Sequence, residues 1–272
     1  MQIDIWCAFC EAITEPRLLQ RYRELLSEAE RRQQDRFHFE QDRHRYLITR
    51  ALVRTTLSRY ADIAPQRWTF VPNAHGKPSI SNEEVRGLAF NLSHTGKLVA
   101  LAVARDCELG IDTEDLLRSS PALELAERYF APEEAASLRA LPAERQPERF
   151  FQHWTLKESY IKARGKGLSL PLDQFAFHFP QPGEVRLTLQ PALLDAAENW
   201  RFWLWWVDSG KPLGEATLMG QHMLALCARR GGNAAHRPTL RQVVPLVSEG
   251  QVRSTLIASS WDAACSAADA QA

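Results

Sequence analysis

The sequence predicts an α+β fold made of two similar lobes, each pairing a long helix with antiparallel strands. Three observations lead there. Asp42 to Tyr60 and Pro147 to Ala163 read as long helices with no interior Gly or Pro. Strand-like runs bounded by turn residues flank each of them. Leu98-Val-Ala-Leu-Ala-Val-Ala-Arg105 also resembles Met223-Leu-Ala-Leu-Cys-Ala-Arg-Arg230, as an internal repeat would. On this reading residues 1–108 form the first lobe and 109–230 the second. Residues 231–272 form an extension of unknown role, because the pattern fades after Gly231-Gly232 into a mix of Pro, Ser and Ala.

Each element has its own signal. Ile3–Phe9 reads as a strand. Ser27-Glu28-Ala29-Glu30 fits a capped helix start. Trp68–Val71 is a short strand, followed by a loop carrying Asn73, Gly76 and Pro78. Leu88–Leu92 and Leu98–Ala104 are strands, with Ser-His-Thr-Gly between them as a tight turn. In the second half, helices are expected at Pro121–Phe130, Pro132–Ala140 and Pro147–Ala163. Strands follow at Phe175–Phe179, Val185–Leu189, Arg201–Val207 and His222–Cys227.

The chain has 272 residues, 45% of them hydrophobic, enough for a full core. Its 33 basic and 33 acidic side chains balance, so nothing general points to nucleic acid or an anionic membrane as partner. Any anion must be captured locally. The first residues lack a basic region, and Leu98–Ala104 and Phe202–Val207 are too short to span a bilayer. A cytosolic, soluble protein is expected. Of the five cysteines, Cys7 and Cys10 form a lone CxxC. Residues three apart on a strand face opposite sides, so buried free thiols are expected there.

Three segments carry the chemistry: Phe-Asn-Leu-Ser-His-Thr-Gly at 90–96, Gly-Ile-Asp-Thr-Glu at 110–114, and Trp-Thr-Leu-Lys-Glu-Ser-Tyr-Ile-Lys at 154–162. On a helix with about 100° per residue, Glu158 lies about 20° from Phe151, 40° from Trp154 and 60° from Ile161. A carboxylate in an apolar stripe needs a partner. Lys162, at i+4, would supply one as a buried ion pair; a metal is the other solution. In an extended strand Asp112 and Glu114 share a side and Thr113 faces away. Two carboxylates on one side call for a cation, and hard oxygen donors select Mg²⁺ or Mn²⁺. Taken alone, Asp-x-Glu is also compatible with a solvated strand end.

Lys157 and Lys162 flank Glu158. Alone they are surface charges; beside a metal they neutralise phosphate oxygens or protonate a leaving group. Arg36, Arg43, Arg50 and Arg54 form a stripe that reads as a solvated face. Arg45 lies on the opposite side with Ile48, Thr49, Leu52 and Thr56, and is expected to reach an anion or a buried carboxylate. Lys77 sits in the stiff Gly76-Lys77-Pro78 turn. Ser93 and His94 are sequence neighbours and so a poor nucleophilic dyad. They read better as phosphate contacts, with turn formation as the alternative.

These segments, in this order and spacing from about Ser27 to Arg229, resemble the Sfp-type 4′-phosphopantetheinyl transferases. Gly-Lys-Pro at 76–78 and Ala-Arg-Gly-Lys-Gly-Leu at 163–168 extend the match. The resemblance implies a pseudo-dimeric fold binding coenzyme A between the lobes. It implies transfer of 4′-phosphopantetheine to a serine of acyl, aryl or peptidyl carrier proteins; two lobes in one chain also lead us to expect a monomer. It makes Asp112, Glu114 and Glu158 the Mg²⁺ ligands. Lys77, Ser93, His94, Lys157 and Lys162 become contacts to coenzyme A phosphates, and Arg45 a contact to its 3′-phosphate or adenine end. Glu158 is the candidate base and Lys162 the group that assists departure of 3′,5′-ADP. Where some relatives carry phosphate-binding lysines, this chain has Glu30 and Gln33, with Arg31 and Arg32 as the adjacent basic residues. Two rival readings use the same inventory. One is a Mg²⁺-dependent nuclease or phosphatase, which the neutral net charge disfavours. The other is a non-catalytic carrier-protein binder, expected to have lost the metal carboxylates.

Overall fold

The structure, a computed structural model, describes residues 2–118, 122–208, 221–230 and 237–260. The first lobe runs β1 (Gln2–Phe9), α1 (Pro16–Leu25), α2 (Glu28–Arg36), α3 (Glu40–Leu57), β2 (Phe70–Pro72), β3 (Pro78–Ile80), β4 (Leu88–His94) and β5 (Leu98–Arg105). The second opens with β6 (Leu109–Asp115), α4 (Ala122–Tyr129), α5 (Pro132–Arg139) and α6 (Gln146–Arg164). It continues with β7 (Phe175–His178), β8 (Gly183–Glu184), β9 (Arg186–Leu189), β10 (Trp200–Asp208) and β11 (His222–Arg229). The chain closes with β12 (Arg237–Val244), β13 (Ser248–Gln251) and β14 (Arg253–Ser259).

Two five-stranded sheets result, ordered β13-β12-β1-β5-β4 and β6-β11-β10-β14-β8. They are antiparallel except for the β1–β12 and β8–β14 pairs. The sheets pack face to face. Ile3, Ile5 and Cys7 of β1 and Leu98, Ala100 and Ala102 of β5 meet Leu224, Leu226 and Ala228 of β11 in one core. The alternate residues face the helices: Trp6, Val99 and Leu101 pack with α1 and α3, and Met223, Ala225 and Cys227 with α6. Covered on both sides, β5 and β11 read as unbroken apolar runs rather than alternating ones. This four-layer arrangement is the α+β fold of two similar lobes that the sequence predicts.

Several expectations are revised. α1 carries a clear start, with Pro16 in its first turn and Glu15 accepting from the Arg17 and Leu18 amides, yet the sequence reading began its helices at Ser27. Ser93 and His94 are not in the turn. They extend β4, opposite Ala100 and Val99, and the Thr95 amide closes the turn on the Leu98 carbonyl. The largest revision concerns the end of the chain. β12 pairs with β1 in the first sheet, and β14 pairs with β10 in the second. Residues 237–259 are therefore part of both lobes. Their partners lie far away in sequence, which is why the local pattern looked faded. The last residues, 261–272, with Cys265, lie outside the described residues.

Cys7, Cys10, Cys107 and Cys227 are buried free thiols. Cys7 belongs to the core between the sheets and Cys10 to the helix side. Among the described residues no helix is long and apolar enough to cross a membrane.

Candidate active site

β4 and β6, the facing edge strands of the two sheets, are joined by side chains rather than by a ladder. Asn91 Oδ1 accepts the Ile111 amide at 2.8 Å, and Ser93 Oγ donates to Asp112 Oδ1 at 2.8 Å. Strand alternation places Asn91 and Ser93 on the same side of β4. Gly110 brings β6 onto α6: a Cβ there would lie 2.1 Å from the Ser159 carbonyl oxygen and 2.3 Å from the Ala163 amide nitrogen. α6 ends on Gly165 in the left-handed region, φ 62°, and Asn73 Nδ2 caps the Gly165 carbonyl at 2.9 Å. These contacts set the end of α6 beside the β4–β6 seam.

Asp112 is buried at that seam. Lys162 Nζ lies 2.6 Å from its Oδ1 and donates to Ser93 Oγ at 2.8 Å. Asp112 Oδ2 is buried without a hydrogen-bond partner. Thr113 faces away and donates to the Met223 carbonyl, as the alternation required. Glu114 and Glu158 are half-buried. Burial and then the Asp112 charge push Glu114 up to about 7, against the Arg118 charge and a hydrogen bond from Trp154. Burial and Asp112 likewise raise Glu158, with Lys162 opposing. Lys162 has thus turned to Asp112 rather than to Glu158. Lys162 pairs with Asp112, and the Arg118 charge opposes the upward shift of Glu114.

A cavity of about 310 Å³ opens here, lined by Gly76, Lys77, Asn91, Glu158, Lys162 and Gly165. Lys77 Nζ donates to the carbonyls of Leu109 (3.0 Å) and Ala163 (3.2 Å), and burial lowers its pKa. It straps the β3 loop to β6 and α6 from the cavity wall. His94 keeps an exposed edge, although enclosure, then Arg45 and Lys162, hold its pKa below the ordinary value. Arg45 is therefore near the site. It pairs with Asp42 on its own helix, at 2.6 Å.

Two groups of charges turn out to be structural. Lys157 does not reach the cavity. It is wholly buried, 2.7 Å from Glu134 Oε2, and donates to the Leu172 and Phe175 carbonyls at 2.7 and 2.5 Å. Five residues separate Lys157 from Lys162, which turns them about 140° apart on a helix. Only one can face the seam. Within the arginine stripe, Arg36 is exposed but Arg50 and Arg54 are not solvated. Arg54 is 2% exposed, bonds Glu30 at 2.7 Å and donates to the carbonyls of Pro65 and Trp68. Arg50 pairs with the same Glu30. Glu30 also completes the α2 capping box with Ser27, so this position is spent on structure. Of the adjacent pair, Arg31 folds back to the Leu26 carbonyl and Arg32 pairs with Glu28.

Comparisons with known proteins identify the family to which the chain belongs. The family model of the 4′-phosphopantetheinyl transferase superfamily matches residues 108–227. The model for the N-terminal part of 4′-phosphopantetheinyl transferases matches residues 15–106. The protein slr0495 of Synechocystis sp. is 34% identical over 202 residues, 70% of this chain and 82% of its own. The 4′-phosphopantetheinyl transferase Sfp of Bacillus subtilis is 36% identical over 171 residues, 62% of this chain and 74% of its own. The chain belongs to the 4′-phosphopantetheinyl transferase superfamily. HetI of Nostoc sp., a transferase of the same name, is 36% identical over 177 residues, 64% of this chain and 71% of its own. The chain is thus an Sfp-type transferase, an enzyme, with the two-lobed α+β fold.

The transferase's donor set fits a hard divalent cation in chemistry: three carboxylates, one bare buried oxygen, and raised proton affinity on two of the three. Among the described residues they are not gathered into a ready-made cluster of three metal-binding side chains. Sequence reasoning left Asn91 without a role, although its spacing from Ser93 placed it on the seam. Glu134 carried no local signal beyond its place in a helix start.

Proposed function

We propose that this transferase moves the 4′-phosphopantetheine group of coenzyme A onto a serine of acyl, aryl or peptidyl carrier proteins. The reaction releases 3′,5′-ADP and requires Mg²⁺, with Mn²⁺ able to replace it. The observation that carries the reading is the Ser93–Asp112–Lys162 cluster at the seam, with Glu114 and Glu158 beside it and a cavity in front. Asp112, Glu114 and Glu158 are the residues that would hold the cation, which supplies charge neutralisation for the pyrophosphate.

The chain's own groups supply the rest. Lys162 lines the cavity, 28% exposed, where its ammonium meets phosphate oxygens and steadies the departing 3′,5′-ADP. Ser93 and His94 sit at the end of β4 beside it, and Arg45 offers a further positive charge for the 3′-phosphate or adenine end. Lys77 forms the cavity wall and has one N–H beyond its two carbonyl bonds for a phosphate. The carrier serine's oxygen attacks the pantetheine-bearing phosphorus, and the bond from that phosphorus to the leaving 3′,5′-ADP oxygen breaks. The serine proton passes to Glu158, directly or through water. Lys157 has no contact role in this scheme.

Mass spectrometry of an apo carrier protein incubated with the enzyme, coenzyme A and Mg²⁺ tests the reading. A mass gain of one phosphopantetheine, lost on chelation, is expected. No gain on acyl, aryl or peptidyl carriers overturns it. The enzyme is expected to act in the cytoplasm as a monomer, which sedimentation checks for the oligomeric state.

A further inference from the structure

Asp112 presents two unequal oxygens. Oδ1 accepts from Lys162 at 2.6 Å and from Ser93 at 2.8 Å. Oδ2 is equally buried and bonded to nothing. Lys162 in turn uses two of its three N–H donors, on Asp112 and on Ser93. The third has no hydrogen-bond partner among the described residues, and the side chain lines the open cavity with Glu158. A flexible ammonium therefore stands between a buried carboxylate and a space able to hold phosphate.

We infer that Lys162 and the divalent cation are competing partners of Asp112, so that cation binding releases Lys162 to the phosphates of coenzyme A. This rests on the Mg²⁺-dependent transferase reading above. The physical argument is one of like charges. An ammonium within hydrogen-bond distance of Asp112 opposes any second cation on the same carboxylate. That opposition is relieved when Lys162 swings into the cavity, and a phosphate there is a charge-assisted acceptor for it. Each ligand thus favours the arrangement that the other needs. The coupling is reciprocal, as linkage requires. Lys162 becomes the element that ties cation binding to substrate binding, in addition to any contact it makes with the substrate.

Mn²⁺ binding to the full-length protein, followed by the electron paramagnetic resonance of free Mn²⁺, tests this with and without coenzyme A and in the absence of carrier. Without coenzyme A, Lys162→Met is expected to bind Mn²⁺ roughly tenfold more tightly than the natural chain, because the competing ammonium is gone. Coenzyme A is expected to tighten Mn²⁺ binding in the natural chain by a factor several times larger than in Lys162→Met. Structural damage would lower affinity, so a gain is not a by-product of misfolding. Lys162→Gln, which keeps a hydrogen-bonding group, repeats the test if Lys162→Met does not fold. Equal or weaker Mn²⁺ binding by the variants overturns the inference, as does an equal coenzyme A effect in all proteins. If transfer by the natural chain remains Mg²⁺-dependent in that case, only the exchange is wrong. If the natural chain neither binds Mn²⁺ nor transfers, both readings fall.

Discussion

Two buried carboxylate centres lie on opposite sides of α6, and they are built in opposite ways. Around Glu134 every charge is matched. Its Oε2 accepts the Ala131 amide and meets Lys157, while its Oε1 accepts the Phe177 amide and lies 3.3 Å from His153. Burial alone would raise its pKa, but the His153 contact and the Lys157 charge outweigh burial and lower it. At the seam, by contrast, Lys162 pairs with Asp112, Glu114 has the Arg118 charge nearby, one Asp112 oxygen is unpartnered, and two pKa values still move up. A charge-compensated carboxylate holds helices and strands together, even though both ring nitrogens of the neighbouring His153 are buried without a hydrogen-bond partner. An under-compensated one costs stability and leaves chemistry open for a ligand.

The largest effect is expected where the matched centre is broken. Lys157→Met leaves Glu134 charged in the core and should destabilise the fold by about 3–5 kcal/mol. Chemical denaturation reads this, while turnover per folded molecule should change little. If turnover collapses with stability intact, Lys157 belongs to the site after all. Next comes the reverse pattern. Glu158→Gln should slow transfer by at least ~100-fold with no loss of melting temperature. Near-normal turnover would remove Glu158 from the mechanism.

A smaller effect sharpens the contrast in sign. Glu114→Gln should stabilise the cation-free protein, by roughly 1–2 kcal/mol once the screening on its open side is allowed for. A raised carboxyl costs nothing below its ordinary value of 4.5, and its cost grows as pH rises to about 7. The gain in Glu114→Gln, measured in chelator, should therefore be absent at about pH 4 and complete above about pH 7. Glu134 has the other sign. Its lowered pKa contributes stability above the ordinary 4.5, lost as pH falls through the folded value. A Glu134→Gln variant should accordingly lose its stability deficit in acid. Smallest of all, Ser93→Ala removes one hydroxyl from the Asp112–Lys162 contact and should cost about 1 kcal/mol by thermal unfolding.

Much of the site was legible in local geometry. Strand alternation placed Asp112 and Glu114 on one side and Thr113 on the other. Helical periodicity set Glu158 in an apolar stripe, and the structure half-buries it beside Asp112. The same periodicity, applied to Lys157 and Lys162, separates them by about 140° but does not say which one meets the seam. The arginine stripe failed for a related reason. Arg50 and Arg54 look solvated on α3 alone, and only the packing of α2 brings Glu30 against them. β12 was invisible because its partner β1 lies more than 200 residues away, with Ile3 opposite Pro238.

By itself, then, the sequence determined the α+β class, the repeated apolar strands, the residue types of the site and the side of each element they occupy. Those properties depend on periods of 2 and 3.6 residues, which neighbouring positions express directly. Only the tertiary structure decided which lysine lines the cavity and which is paired in the core, that Lys162 pairs with Asp112 rather than Glu158, and that residues 237–259 join both lobes. Burial and charge pairing are set by groups distant in sequence, and no local period encodes them.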